Sequence, residues 1–199
     1  MVRDGIYYAL GLTLGGVIVS YLVGPLYGMP FYLLAVFCLN FFRDPERSVP
    51  SGPHVVSPAD GKVVSVKRHT PETTRISIFM NVFDVHVNRS PISGRISQVR
   101  YQPGQFMAAN RELASSRNEQ NMVTVEAADT SVTFTQIAGL IARRIVFYKC
   151  AGDEVRQGER VGLIKFGSRV DVFLGPEWEL TVREGTRVSA GTSVLAKRK

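Results

Sequence analysis

From Gly5 to Phe42 the chain runs for 38 residues without a formally charged side chain. A run of that length has to be buried in protein or to face lipid. It is too long for the apolar core of a secretory signal, about 7–15 residues, and lacks a small-residue cleavage site. As one helix it would measure about 57 Å, nearly twice the hydrocarbon thickness of a bilayer. The segment Gly24-Pro25-Leu26-Tyr27-Gly28-Met29-Pro30 is expected to break it. The first arm, Ile6–Val23, is about 27 Å long as a helix, and the second, Phe31–Phe42, about 18 Å. Arg3 precedes the first arm, and Arg43 and Arg47 follow the second. Positive charge at both ends fits a hairpin that returns to the cytoplasmic face. Residues 1–47 are therefore expected to anchor the chain in the cell membrane, the alternative being a buried helical pair in a soluble protein. Residues 48–199 are expected to form a separate domain on the cytoplasmic side.

Arg3 and Asp4 cancel, so residues 43–199 carry the entire formal charge of +7, with 23 basic and 16 acidic side chains. A basic body behind an apolar leader suits an anionic surface. Lipid is favoured over nucleic acid, because the chain shows neither an RNA-type aromatic motif nor zinc-finger spacing. Two cysteines, Cys38 and Cys150, make no disulfide framework, and a reducing compartment follows.

After the Pro-containing linker Ser48–Pro53 the pattern changes to short runs rich in Val, Ile, Phe and Thr. They are Lys62–Val66, Arg75–Met80, Val85–Asn88, Arg95–Tyr101, Met122–Glu126, Ser131–Ile137, Ile145–Lys149 and Val170–Leu174. Phe106–Arg117 reads as a short helix or a loop. A repeat, G-x-x-V-x-x-G-x-x-V, occurs at Gly152–Val161 and again at Gly185–Val194. It resembles the half-motifs of biotinyl and lipoyl carrier domains. The expected fold is mainly β, a sandwich or barrel body preceded by the helical hairpin.

The chemistry rests on few residues. His54 and His69 sit in turn-like contexts and read as surface histidines. His86 lies in Asp84-Val-His86-Val-Asn88, where alternation would put Asp84, His86 and Asn88 on one face of a strand. Alone, it is as readily a structural histidine as a catalytic one. Asp60, in Ser57-Pro-Ala-Asp60-Gly61, reads first as a turn residue, and Ser168, in Phe166-Gly167-Ser168-Arg169, equally so. Three scattered histidines and two distant cysteines lack metal-ligand spacing, and no Gly-rich phosphate loop precedes a helix.

Together these segments are more specific. Asp84-Val-His86-Val-Asn88-Arg-Ser-Pro91, Ser57-Pro-Ala-Asp60-Gly61-Lys62-Val63 and Phe166-Gly167-Ser168-Arg169-Val-Asp171 resemble the signature of phosphatidylserine decarboxylases, in the short form of bacteria and archaea. Arg43-Asp-Pro45 and Gly139-Leu-Ile-Ala-Arg143-Arg144-Ile145 are similar to the family too. The resemblance covers essentially the whole chain, although Phe-Gly-Ser-Arg stands where longer members carry Leu-Gly-Ser-Thr.

The resemblance implies a proenzyme. Ser168 Oγ would attack the Gly167 carbonyl, and β-elimination from the resulting ester would leave chains 1–167 and 168–199. These would remain a heterodimer, and the second would begin with a covalent pyruvoyl group. That carbonyl would form a Schiff base with the amine of a phospholipid substrate, phosphatidylserine or archaetidylserine, and accept electrons as CO₂ leaves. Asp60, His86 and Ser168 would act as a relay trio, His86 as base in cleavage and as the acid that later returns a proton to Cα. Arg169, Lys149, Arg143 and Arg144 are the candidate headgroup-phosphate partners. The competing readings are a membrane-tethered carrier domain modified at Lys165 and an Asp-His-Ser hydrolase that never cuts itself.

Overall fold

The computed structural model describes residues 2–104, 118–139, 144–165 and 168–199. Phe106–Arg117, read from sequence as helix or loop, lies outside them. The chain divides into two compact units, Met1–Glu46 and Arg47–Lys199.

The first unit is a helical hairpin, α1 (Arg3–Leu22) and α2 (Pro25–Phe41). The break is shorter than the sequence implied. It falls at Val23–Gly24, where Gly24 adopts φ +132°, and Pro25 takes the first helical position, where a missing N–H costs nothing. Pro30 lies inside α2 and forfeits a single backbone bond near the start of that helix. The second arm thus has 17 residues, about 26 Å, close to the length of the first. Small residues bring the helices together. A Cβ on Gly28 would collide with Ser20 Oγ and the Gly16 carbonyl, and one on Gly16 would lie 2.8 Å from the Tyr32 ring. Ser20 Oγ and Tyr32 Oη are 3.2 Å apart. Outside this seam the faces are apolar and bare, with Leu10, Leu14, Val17, Leu33 and Val36 all about half exposed or more. Close packing through glycine and hydroxyls, with hydrocarbon turned outward, is how helices pair in lipid. By length and composition α1 can cross a membrane.

The second unit is mainly β. Its strands are β1 (His54–Val56), β2 (Gly61–Arg68), β3 (Thr74–Met80), β4 (Val87–Arg89), β5 (Gly94–Gln102), β6 (Gln120–Glu126) and β7 (Ser131–Ala138). These are followed by β8 (Ile145–Phe147), β9 (Glu154–Val155), β10 (Arg160–Ile164), β11 (Ser168–Leu174), β12 (Trp178–Leu180), β13 (Arg187–Val188) and β14 (Val194–Arg198). An eight-stranded sheet runs in the order β13-β2-β3-β11-β7-β6-β5-β9, beside three-stranded sheets β4-β10-β8 and β1-β14-β12. The pairings are antiparallel. Alternation selects the inner face: Ile76, Ile78 and Met80 of β3 and Val170, Val172 and Leu174 of β11 are buried together. Each such side chain stabilises the fold by about 1.5–3 kcal/mol. Residues of all three sheets share one core, with Val55, Ile164, Leu195 and Ala196 joining those of the large sheet.

The repeat has a structural meaning. Its two copies supply β9 and β13, the short outer strands that end the large sheet on either side. Gly152, Gly158, Gly185 and Gly191 all have φ between +73° and +100°, which glycine alone adopts without strain. The copies also meet, since a Cβ on Gly191 would lie 3.4 Å from the Gly158 Cα.

Candidate active site

β11 lies between β3 and β7 in the large sheet, and its first residue is Ser168. Ser168 is paired with Met80 on one side and Ala138 on the other, and it is fully buried. Its hydroxyl donates to Met80 Sδ at 3.2 Å. Sequence placed Ser168 in a Gly-Ser turn, but the structure makes it the opening residue of a central strand. Gly167 lies outside the described residues.

The β4-β10-β8 sheet carries His86 toward the same segment of chain. β10 pairs with β4, Leu163 opposite Val87, and the Ile164 N–H donates to the His86 carbonyl at 3.2 Å. Ile164 stands four residues before Ser168 in the chain. The His86 ring is buried and its Nδ1 lies 2.9 Å from the Asp84 carbonyl oxygen. A carbonyl oxygen has no proton to give, so Nδ1 is the donor and the lone pair of the neutral ring falls on Nε2.

The alternation read over Asp84–Asn88 holds only for the short strand from Val87. Asp84 belongs to a turn, where its Oδ2 accepts the Asn81 N–H at 2.9 Å, Asn81 Oδ1 accepts the Phe83 N–H at 2.8 Å, and Arg187 approaches at 3.3 Å. Asn and Asp side chains commonly hold their own backbone in this way and override strand periodicity.

Asp60 closes the turn Ser57–Gly61. Its Oδ2 accepts from Arg47 Nη2 at 2.8 Å and its Oδ1 from the Ala190 N–H at 2.7 Å. Among the described residues the hydrogen-bond partners of the Asp60 carboxylate are Arg47 and Ala190 rather than His86. The structure links Asp60 and His86 indirectly, because Pro58 of the same turn accepts the Arg89 N–H at 2.9 Å and Asn88 Nδ2 at 3.4 Å. Gly61 completes the turn at φ +148°, with no space for a Cβ against the Phe79 carbonyl.

Of the basic residues, Arg169 is buried in a bidentate pair with Asp171, Nε to Oδ1 and Nη2 to Oδ2, both at 2.7 Å. Lys149 pairs with Glu159 at 2.7 Å. That contact holds the Glu159 carboxyl below its usual range, assisted by the Arg156 backbone N–H, and raises the Lys149 ammonium. Arg144 is exposed, its carbonyl accepting the Lys165 N–H at 3.2 Å, and Arg143 lies outside the described residues. Among the described residues, no group of three or more metal-binding side chains occurs. Sequence reading missed the buried carboxamides Asn121, Gln136 and Asn88, which hydrogen-bond one another across β6, β7 and β4. Only Asn88 carried a signal, its place in the His86 segment.

A buried serine thus opens a central strand of a mainly β unit, and a buried histidine is held by the strand that precedes it in the chain. The phosphatidylserine decarboxylase family model matches residues 34–196. Across the full chain the sequence is 62% identical to the phosphatidylserine decarboxylase proenzyme of Solibacter usitatus, covering 97% of that protein. It is 45% identical to the proenzyme of the same name from Ralstonia nicotianae, over 98% of this chain and 94% of that one. For the Burkholderia vietnamiensis proenzyme the figures are 48%, 86% and 83%. The chain belongs to the phosphatidylserine decarboxylase family.

Proposed function

We propose that this protein decarboxylates phosphatidylserine to phosphatidylethanolamine at the membrane, using a pyruvoyl group made from Ser168 by cleavage of its own Gly167–Ser168 bond. The observation that carries the reading is the setting of Ser168 in a chain whose relatives are named as proenzymes. A thioether is a weak acceptor, so the bond to Met80 orients the hydroxyl without holding its proton firmly. The residue before Ser168 is glycine, which has no side chain to obstruct attack on its carbonyl. The residues thus fit the group. When formed, a pyruvoyl carbonyl supplies the electron sink for the pair left at Cα as CO₂ departs.

The protein's own residues do the rest. His86 Nε2 is the base that takes the Ser168 proton and, after cleavage, the acid that returns one to Cα. Asp60 is a positioning residue that acts through the Ser57–Gly61 turn and β4. With Arg169 and Lys149 engaged by Asp171 and Glu159, Arg144 and Arg143 become the leading phosphate partners. Cleavage would not separate the products. The fragment 168–199 contributes β11 at the centre of the large sheet and β14 between β1 and β12, so the two chains stay woven as a heterodimer. The α1–α2 hairpin anchors them in the membrane with the β unit on the cytoplasmic face.

The test is turnover of phosphatidylserine in mixed micelles by purified full-length protein. Phosphatidylethanolamine and CO₂ should appear in equal amounts and be suppressed by a carbonyl reagent such as phenylhydrazine. A folded, processed protein that releases no CO₂ would overturn the reading.

A further inference from the structure

A file of buried carboxamides leads across the sheet to Ser168. Asn121, Gln136 and Asn88 are each at most 4% exposed. Asn121 Nδ2 donates to Gln136 Oε1 at 3.0 Å, and Gln136 Nε2 donates to Asn88 Oδ1 at 2.9 Å. The Gln136 and Asn88 oxygens are each taken by the NH₂ of the group before, and the Pro58 carbonyl beyond Asn88 can only accept, which sets the direction of the file. The NH₂ of Asn88 is left facing the Pro58 carbonyl at 3.4 Å and Met80 Sδ at 3.9 Å. The same sulfur accepts the Ser168 hydroxyl at 3.2 Å. Strand register puts Gln136 and Ser168 on one face of the sheet, Gln136 opposite Val170 and Ser168 opposite Ala138. Amides buried among Val, Ile and Phe carry a desolvation cost that apolar side chains would not.

We propose that Asn88, held by Gln136 and Asn121, is a positioning residue for self-cleavage: it fixes the Met80 thioether and, through it, the orientation of the Ser168 hydroxyl. The proposal rests on the reading of Ser168 as the cleavage residue. A methionine side chain has three rotatable bonds and fills space adaptably. Without Asn88 the sulfur samples other rotamers, and the serine oxygen follows it. Misplacing a reacting atom by about 1 Å can cost about 100-fold in rate.

The test is a time course of fragment appearance for full-length protein made by cell-free translation, with resistance to limited proteolysis as the check on folding. Asn88→Leu should slow cleavage about 100-fold. Met80→Leu, which conserves volume and removes the sulfur, should slow it about tenfold. The double variant should cleave no more slowly than Asn88→Leu, because the two residues act as one unit. A protease-resistant Asn88→Leu that cleaves at the wild-type rate overturns the proposal, as does a double variant whose losses multiply. If Asn88→Leu fails to fold, Met80→Leu decides, and a wild-type rate there also overturns it. A wild-type chain that never cleaves sinks the reading of Ser168 and the proposal with it. Failure of the proposal alone instead shows a wild-type chain that cleaves normally.

Discussion

The Asp60 carboxylate binds the Ala190 backbone N–H at 2.7 Å, and so joins the two stretches of chain on either side of the proposed cleavage point. Its other oxygen holds Arg47 at 2.8 Å, with both side chains largely screened from solvent. Asp60 is thus a clamp, and the Pro58 carbonyl of the same turn accepts from Asn88 and Arg89, the residues that follow His86 and Val87 in the chain.

That clamp has a consequence for processing. Asp60→Asn keeps an acceptor for Ala190 but loses the charge that holds Arg47, and it should slow fragment appearance by about tenfold or more. Arg47→Met removes the same ion pair and should slow it to within a few-fold of Asp60→Asn. Cleavage kinetics of the two variants, side by side, check this. A silent Arg47→Met beside a blocked Asp60→Asn would show that Asp60 contacts His86 directly during the reaction.

His86 should be needed before turnover begins. Its Nδ1 donates to the Asp84 carbonyl, so the proposed base is Nε2. His86→Ala should slow cleavage by about 100- to 10,000-fold, the usual value of a positioned general base. Quantified fragment bands over several hours measure it. Normal processing of His86→Ala would assign the base elsewhere.

Much of this was legible in the sequence, for reasons that particular residues make plain. β3, β7 and β11 alternate inward residues such as Ile76, Ile78, Val132, Phe134, Val170 and Val172 with mostly polar outward ones, and their period of two shows directly. The glycines of the repeat marked real left-handed turns. What the sequence hid was contact between distant segments. Nothing local distinguishes Asp60 as a partner of Ala190, 130 residues on, or Gln136 as a partner of Asn88. β9 and β13 are two-residue strands, too short for any periodicity, and they exist because β5 and β2 offer them an edge. Around Asp84 the pattern misled, because side chains that looked like a strand face are engaged in closing a turn.

The hairpin makes a separate prediction. Leu14 is 63% exposed on α1. In water, lysine there would be nearly silent, within about 0.5 kcal/mol. At the centre of a membrane-spanning helix it costs about 2.5–3.5 kcal/mol. Leu14→Lys should therefore weaken membrane retention, and deleting residues 1–42 should abolish it, as read by sedimentation with membranes in high salt. Retention of the truncated protein would place the anchor outside the hairpin.

The central claim is that Ser168 becomes the prosthetic group, and the intact mass of the purified protein tests it most directly. The account predicts two chains, residues 1–167 ending in an ordinary carboxylate and residues 168–199 beginning with a pyruvoyl group in place of serine. Reduction with borohydride should raise the mass of the second chain by two hydrogens, and Ser168→Ala should give one uncut chain. A single full-length mass for the active wild-type enzyme, or two normal fragments from Ser168→Ala, would contradict it.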